Sequence, residues 1–139
     1  MNYGSVSSSS RVKLFAIEDF WGNIYEWIDG VYYNAYKQLL TATDNFNTYS
    51  TGYINQGQIA TEDLYGYMSK PQGTSETGFL PKEVIGSETT YFCDSTNLEA
   101  NSSMAYFGGY GTSNNQAGIF CMSIQYSSGN AFGARLMYL

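Results

Sequence analysis

Four carboxylates, Glu18, Asp19, Glu26 and Asp29, fall within twelve residues near the start of the chain. A carboxylate pair at the right separation can hydrolyse a glycosidic bond. A cluster of carboxyl oxygens can instead take up Ca²⁺, which needs roughly six to eight oxygen ligands. The simplest use of Glu26 and Asp29 is to accept hydrogen bonds from backbone donors beside the aromatic segment they border. That use is favoured, because no run of regularly spaced Asp and Asn marks a calcium loop. A structural Ca²⁺ is the first alternative, carboxylate catalysis the second, and no metal ligand is assigned.

Other chemistries lack their residues. The chain contains no His, which excludes Ser-His-Asp and Cys-His nucleophiles and His-ligated zinc or iron. Cys93 and Cys121 are too few for a four-cysteine metal site. Both sit in apolar stretches and read as buried thiols, with a single disulfide as the alternative. No glycine-rich phosphate loop or dinucleotide fingerprint occurs. Arg135 lies in an apolar terminal stretch, where its guanidinium must bond a carboxylate or loop carbonyls.

What remains is a palette for binding. Charged residues make up 13% of the 139 residues, about half of the ~25% usual in soluble domains. Aromatic residues reach 17%, with 14 Tyr against 2 Trp. Tyr offers large contact area at low entropic cost, and Ser, Gly and Asn adapt their hydrogen bonding, as in antibody loops. A β-rich scaffold whose strands favour Tyr and Thr gives the same composition. Six Lys and Arg against twelve Asp and Glu give a net charge of −6. No basic stripe is present, so nucleic acid is not expected as a partner, nor is an anionic lipid surface. No apolar run approaches the ~20 residues that span a bilayer, so membrane insertion is not expected.

The elements that must position these residues read as one domain. Residues 1–10, with Ser7 to Ser10 at their end, read as a flexible linker, and 11–139 as the folded domain. Arg11 to Ile17 has a strand pattern. Glu18 to Asn23 suits a turn, and Tyr25 to Tyr33 reads as strand again. Tyr36 to Thr43 pairs with it as a hairpin around Asn34. Asp44 to Gly57 shows no period and reads as loop, and a short helix is placed near Ala60 to Met68 with Thr61 as its cap. Pro71-Gln72-Gly73 and Thr77-Gly78 mark turns, and Pro81 to Val84 begins an element. Tyr91-Phe92-Cys93 reads as a short buried strand and Asp94 to Ser103 as polar loop. Three strands follow, in Met104–Phe107, Gly118–Gln125 and Phe132–Tyr138, separated by Gly-, Ser- and Asn-rich stretches. The fold class is α+β, mainly β with long loops.

Gly22-Asn23-Ile24-Tyr25-Glu26-Trp27 resembles the G-N-V-W-E-W signature of the formylglycine-generating-enzyme, or sulfatase-modifying-factor, type of C-type-lectin-like fold. Gly108-Gly109-Tyr110 is similar to that family's G-G-S-W. Ala117-Gly118-Ile119-Phe120 is similar to A-G-L-F, and Gly133-Ala134-Arg135-Leu136 to its closing G-F-R-L or G-A-R-L. The four pieces stand in the family's order and bracket the chain from about Phe20 to Leu139. Within this fold the chain most resembles the variable proteins of diversity-generating retroelements and phage tail or fibre proteins. The enzymes' closely spaced reactive cysteines and the related oxygenases' histidines have no counterpart here.

The resemblance implies a C-type-lectin-like, non-catalytic receptor-binding domain at a virion surface, on a tail or fibre, or at an extracellular cell surface. Its contact face would comprise Tyr110, Thr112, Ser113, Asn114, Asn115, Gln116, Ser123, Gln125, Tyr126, Ser127, Ser128 and Asn130, in stretches of the kind retroelements diversify. Gly22, Asn23, Glu26, Trp27, Gly108, Gly109, Gly133 and Arg135 would form the scaffold. The implied partner is a protein or glycan on a bacterial host cell, met by a homo-oligomer such as a trimer. A structural virion or pilus subunit is the alternative, and an enzyme related to the sulfatase-modifying factors a more distant one.

Overall fold

The structure, a computed structural model, describes residues 13–14, 17–18, 21–22, 24–59, 64–75, 77–87, 89, 92, 94–109, 116–126 and 132–133. Among them the chain is mainly β, with no α-helix. The strands are β1 (Lys13–Leu14), β2 (Ile17–Glu18), β3 (Tyr25–Ile28), β4 (Val31–Tyr33), β5 (Gln38–Thr41), β6 (Ile54–Gln58) and β7 (Leu64–Tyr67). They continue as β8 (Lys70–Gln72), β9 (Leu80–Glu83), β10 (Ser95–Leu98), β11 (Ala105–Phe107), β12 (Met122–Ile124) and β13 (Phe132–Gly133).

A six-stranded sheet in the order β13-β3-β11-β12-β10-β7 organises the molecule. Its β10–β12 and β13–β3 pairs are parallel and the others antiparallel. Side chains alternate across a strand with period two, so the pairing fixes what each face carries. One face bears Ile28, Ala105, Met122, Ile124, Thr96 and Leu98. The other bears Trp27, Tyr106, Ser123, Asn97 and Tyr65, each directly opposite the next along one row across five strands.

The apolar face meets a second, three-stranded sheet, β4-β5-β6. Val31, Tyr33 and Leu39 of that sheet join Leu80, Leu98, Ala105, Met122 and Ile124 in one core, with Ile28 and Ile59 at its margin. A two-residue bridge holds the layers together: the Tyr33 amide donates to the Ser102 carbonyl at 3.0 Å, and the Ser102 amide returns a bond at 3.3 Å. Removing this much apolar surface from water is the main stabilising term.

Several expectations hold. β4 and β5 form the hairpin around Asn34, whose Oδ1 accepts the Tyr36 and Gln38 amides at 2.9 and 3.0 Å. Tyr25 to Tyr33 is two strands rather than one, broken by Asp29 and Gly30, where Gly30 adopts φ +76°. Such a backbone conformation disfavours any residue with a Cβ.

Others are corrected. The helix near Ala60–Met68 does not form over Leu64–Tyr67, which is β7; residues 60–63 lie outside the described residues. Tyr65-Gly66-Tyr67 pairs with Asn97-Thr96-Ser95, and aromatic residues on a pleated surface override a weak helical signal. The α component of the expected class therefore has no counterpart among the described residues. Asp94–Ser103 is not all loop, because Ser95–Leu98 is β10, paired on both sides. It reads as polar because Ser95 and Asn97 face the polar side while Thr96 and Leu98 enter the core. The loop expected over Asp44–Gly57 ends sooner, at β6, an exposed edge strand held by backbone pairing to β5. Phe92 lies outside any strand, and its ring packs edge-on against Phe120 at 4.5 Å.

Candidate functional site

The polar face of the large sheet gathers Tyr, Asn and Gln side chains into two hydrogen-bonded relays. At the β7 edge, the Tyr65 hydroxyl donates to Gln116 Oε1 at 3.3 Å, and Gln116 Nε2 donates to the Tyr67 hydroxyl at 3.0 Å. One strand inward, Asn97 Nδ2 donates to Gln125 Oε1 at 2.6 Å, and Gln125 Nε2 donates to the Tyr106 hydroxyl. Both amides are thus spent within the protein, fixing their orientation and that of the rings they touch.

At the opposite margin the rings of Tyr25, Trp27, Tyr106 and Phe132 form one cluster. Phe132 stacks on Trp27 at 4.9 Å and on Tyr25 at 5.4 Å, and meets Tyr106 edge-on at 4.9 Å. Such pairs prefer these offset and T-shaped geometries, each contributing about 0.5–1.5 kcal/mol beyond area burial. Trp27 keeps 38% of its surface exposed and Tyr65 61%, whereas Tyr106 between them keeps 1%. The row therefore presents two aromatic ends about 19 Å apart, four strand spacings at ~4.8 Å each. Its centre is a bonded amide–phenol floor.

The residues expected at the contact face divide as follows. Gln116 and Gln125 lie on this face, half-buried and engaged in the relays. Ser123 shares the face but is 5% exposed, so it is not a surface contact. Its place in the middle of β12, between Tyr106 and Asn97, buries it. Tyr126, just beyond Gln125, is 81% exposed. Tyr110, Thr112, Ser113, Asn114, Asn115, Ser127, Ser128 and Asn130 lie outside the described residues. Tyr65, Tyr67 and Asn97 were not expected here. The Tyr-Gly-Tyr alternation was the one available signal, since in a strand it turns both phenols to the same side.

Of the scaffold residues, Glu26 and Trp27 pair with Phe107 and Tyr106, and Gly133 pairs with Glu26 from the other side. The Gly22 amide donates to the Gly108 carbonyl at 2.8 Å, and the Gly108 amide to the Cys121 carbonyl at 2.9 Å. Gly108 and Gly109 both take positive φ, at 94° and 75°, and both are buried. Asn23 and Arg135 are outside the described residues.

Beneath the sheet end, Asp94 Oδ2 accepts the Phe120 amide at 2.8 Å. Burial raises the Asp94 pKa, and the Phe120 amide lowers it by a smaller amount. The adjoining Cys121 is a free, buried thiol. Burial pushes its pKa to about 11, with the Asp94 charge adding to the rise and the Ser95 hydroxyl opposing it. A thiol so placed stays protonated near neutral pH and is a poor nucleophile. Cys93 is outside the described residues.

Among the described residues no three His, Cys, Asp or Glu side chains gather as a metal site. No helix among them is long and apolar enough to cross a membrane. No known family, curated protein or solved structure matches the chain.

Proposed function

We propose that this chain is a non-catalytic ligand-binding domain with a C-type-lectin-like fold, displayed at a phage tail or fibre tip or at an extracellular cell surface. Its partner is a protein or glycan on a bacterial host cell. The observation that carries the reading is the convergence of the motif pieces on one sheet. Glu26 and Trp27 lie in β3, with Gly108-Gly109 at the end of the adjacent β11 and Gly133 in β13 on β3's other side. Ala117-Gly118-Ile119-Phe120 leads into β12, the next strand along.

The scaffold pieces thus stand side by side, and the polar stretches 110–116 and 125–130 precede and follow β12 along the chain. The resemblance places diversification by an adenine-directed retroelement on these stretches, with the paired strands as the fixed part. Tyr126 and Tyr65 supply exposed aromatic anchors of the kind that dominate binding surfaces. Several copies on one fibre, as in a trimer, would convert weak single contacts into avidity.

Sequencing the gene across the population that carries it tests the reading. Substitutions confined to adenine positions in codons 110–116 and 125–130, with Gly118 and Gly133 invariant, are expected. A uniform sequence there removes the variable-protein assignment and leaves a fixed receptor binder or structural subunit.

A further inference from the structure

A recess lies at the turn from β3 to β4. It encloses about 210 Å³ and is walled by Asp29, Val31, Phe46, Thr48, Tyr53 and Ser103. Three observations make it specific. First, the Asp29 carboxylate is committed only on Oδ1, which accepts the Gly30 amide at 2.8 Å. Among the described residues, no ion pair or other interaction occupies its second oxygen.

Second, the Phe46 ring, which also lines the recess, occupies the space that a side chain at Gly30, the residue after Asp29, would need. A Cβ there would meet the Phe46 ring at 2.7 and 3.0 Å and would collide with the Ala42 carbonyl. Third, Tyr53, another residue that lines the recess, is fixed in place. Its hydroxyl donates to the Asn47 carbonyl at 3.1 Å and accepts the Asn47 amide at 3.0 Å. Asn47 is held in turn by bonds to Tyr49, Thr51 and Asn45.

A carboxylate with an uncommitted oxygen, two aromatic walls and two hydroxyls in one small recess select a compact organic cation. The rings attract positive charge through their quadrupoles, and the carboxylate adds direct electrostatic attraction. One carboxylate cannot supply the oxygen shell that Ca²⁺ or Mg²⁺ demands, and the aromatic walls would not replace their bound water. We infer that the recess beside Asp29, walled by Phe46 and Tyr53, binds an alkylammonium group. The group comes either from a free amine or quaternary ammonium compound or from a lysine side chain of a polypeptide.

The test is titration of the full chain with choline chloride, with Nα-acetyl-lysine amide, and with 3,3-dimethyl-1-butanol, the uncharged counterpart of choline. Binding is followed by chemical-shift changes of the Phe46 and Tyr53 ring protons. Saturable shifts with one or both charged probes, and none with the neutral alcohol, are expected. Response to choline alone assigns the site to small quaternary ammonium ligands, and response to the lysine amide alone assigns it to a polypeptide lysine.

Asp29→Asn keeps the acceptor for Gly30 and removes the charge, and should weaken binding about tenfold or more, the factor expected for losing ~1.4 kcal/mol. Phe46→Leu, at a side chain 48% exposed, should weaken it while the circular dichroism spectrum stays unchanged. Absence of a saturable shift with either cation overturns the inference. So does equal binding of the neutral alcohol, or unaltered affinity in a correctly folded Asp29→Asn chain.

Discussion

The Asp94 carboxylate accepts the Phe120 amide at 2.8 Å in the space that a side chain at residue 118 would need. A Cβ built on Gly118 collides with the Asp94 carboxylate itself. Ala117-Gly118-Ile119-Phe120 is thereby pinned to the start of β10, and β12 follows directly in parallel register with that strand. Gly118 in this motif is thus a packing requirement. Gly118→Ala should destabilise the fold by about 1–3 kcal/mol, the usual cost of overpacking a buried site. Urea unfolding of the two proteins measures it, and an unchanged midpoint would show that the carboxylate can move aside freely.

Asp94 also sets a pH dependence. Burial raises its pKa in the folded state, so the folded chain holds this proton more tightly than the unfolded chain. The Asp94 contribution to stability is therefore fully present below its unfolded pKa and is lost as pH rises through the folded value. Asp94→Asn can still accept from Phe120 but does not titrate. The stability difference between Asp94→Asn and the parent should grow in the variant's favour as pH rises from about 4 to about 7. Parallel pH profiles, measured by denaturant unfolding, would remove Asp94 from the account.

Cys121 should resist alkylation. With its pKa near 11 rather than 9.0, its thiolate fraction at neutral pH falls about a hundredfold, and burial blocks the reagent as well. In a Cys93→Ser background, iodoacetamide labelling of Cys121 should be slow until denaturant unfolds the chain. Rapid labelling of the folded protein would mean that this wall of the sheet opens readily.

The relay residue Gln125 differs from the exposed Tyr126 that follows it. Gln125 joins Asn97 to Tyr106, so Gln125→Ala removes a hydrogen bond to each of them at a half-buried position. The cost should be about 1–3 kcal/mol. Tyr126→Ala, at a side chain 81% exposed, should change stability by less than about 0.5 kcal/mol. Thermal unfolding of both variants separates the residue that holds the face from the one that projects beyond it.

The legibility of the fold followed how local its determinants are. Asn34 between two apolar runs announced the β4–β5 hairpin, because the turn's hydrogen bonds close within four residues. β10 was hidden because Ser95 and Asn97 look like loop until Cys121 and Gln125, distant in sequence, supply their partners. β7 was hidden likewise, since Tyr65-Gly66-Tyr67 becomes a strand only in register with β10. At the candidate site, Gln116, Gln125 and Tyr126 entered through the resemblance, which says nothing of the bonds that Gln116 and Gln125 make. The burial of Ser123 was not legible, because it depends on having Tyr106 and Asn97 as cross-strand neighbours. Asp29 was visible as a carboxylate, but its aromatic walls come from Phe46 and Tyr53 in a loop with no period to read.

The most direct test of the account is retention of the purified domain on a panel of intact bacterial cells, comparing the parent with Tyr110→Ala/Tyr126→Ala. The account predicts that the parent is retained on at least one strain. The double variant should lose that retention while unfolding at the parent's temperature. Undiminished retention of the double variant would contradict the assigned contact face. Failure of the parent to bind any strain would contradict a receptor-binding role and favour a structural subunit.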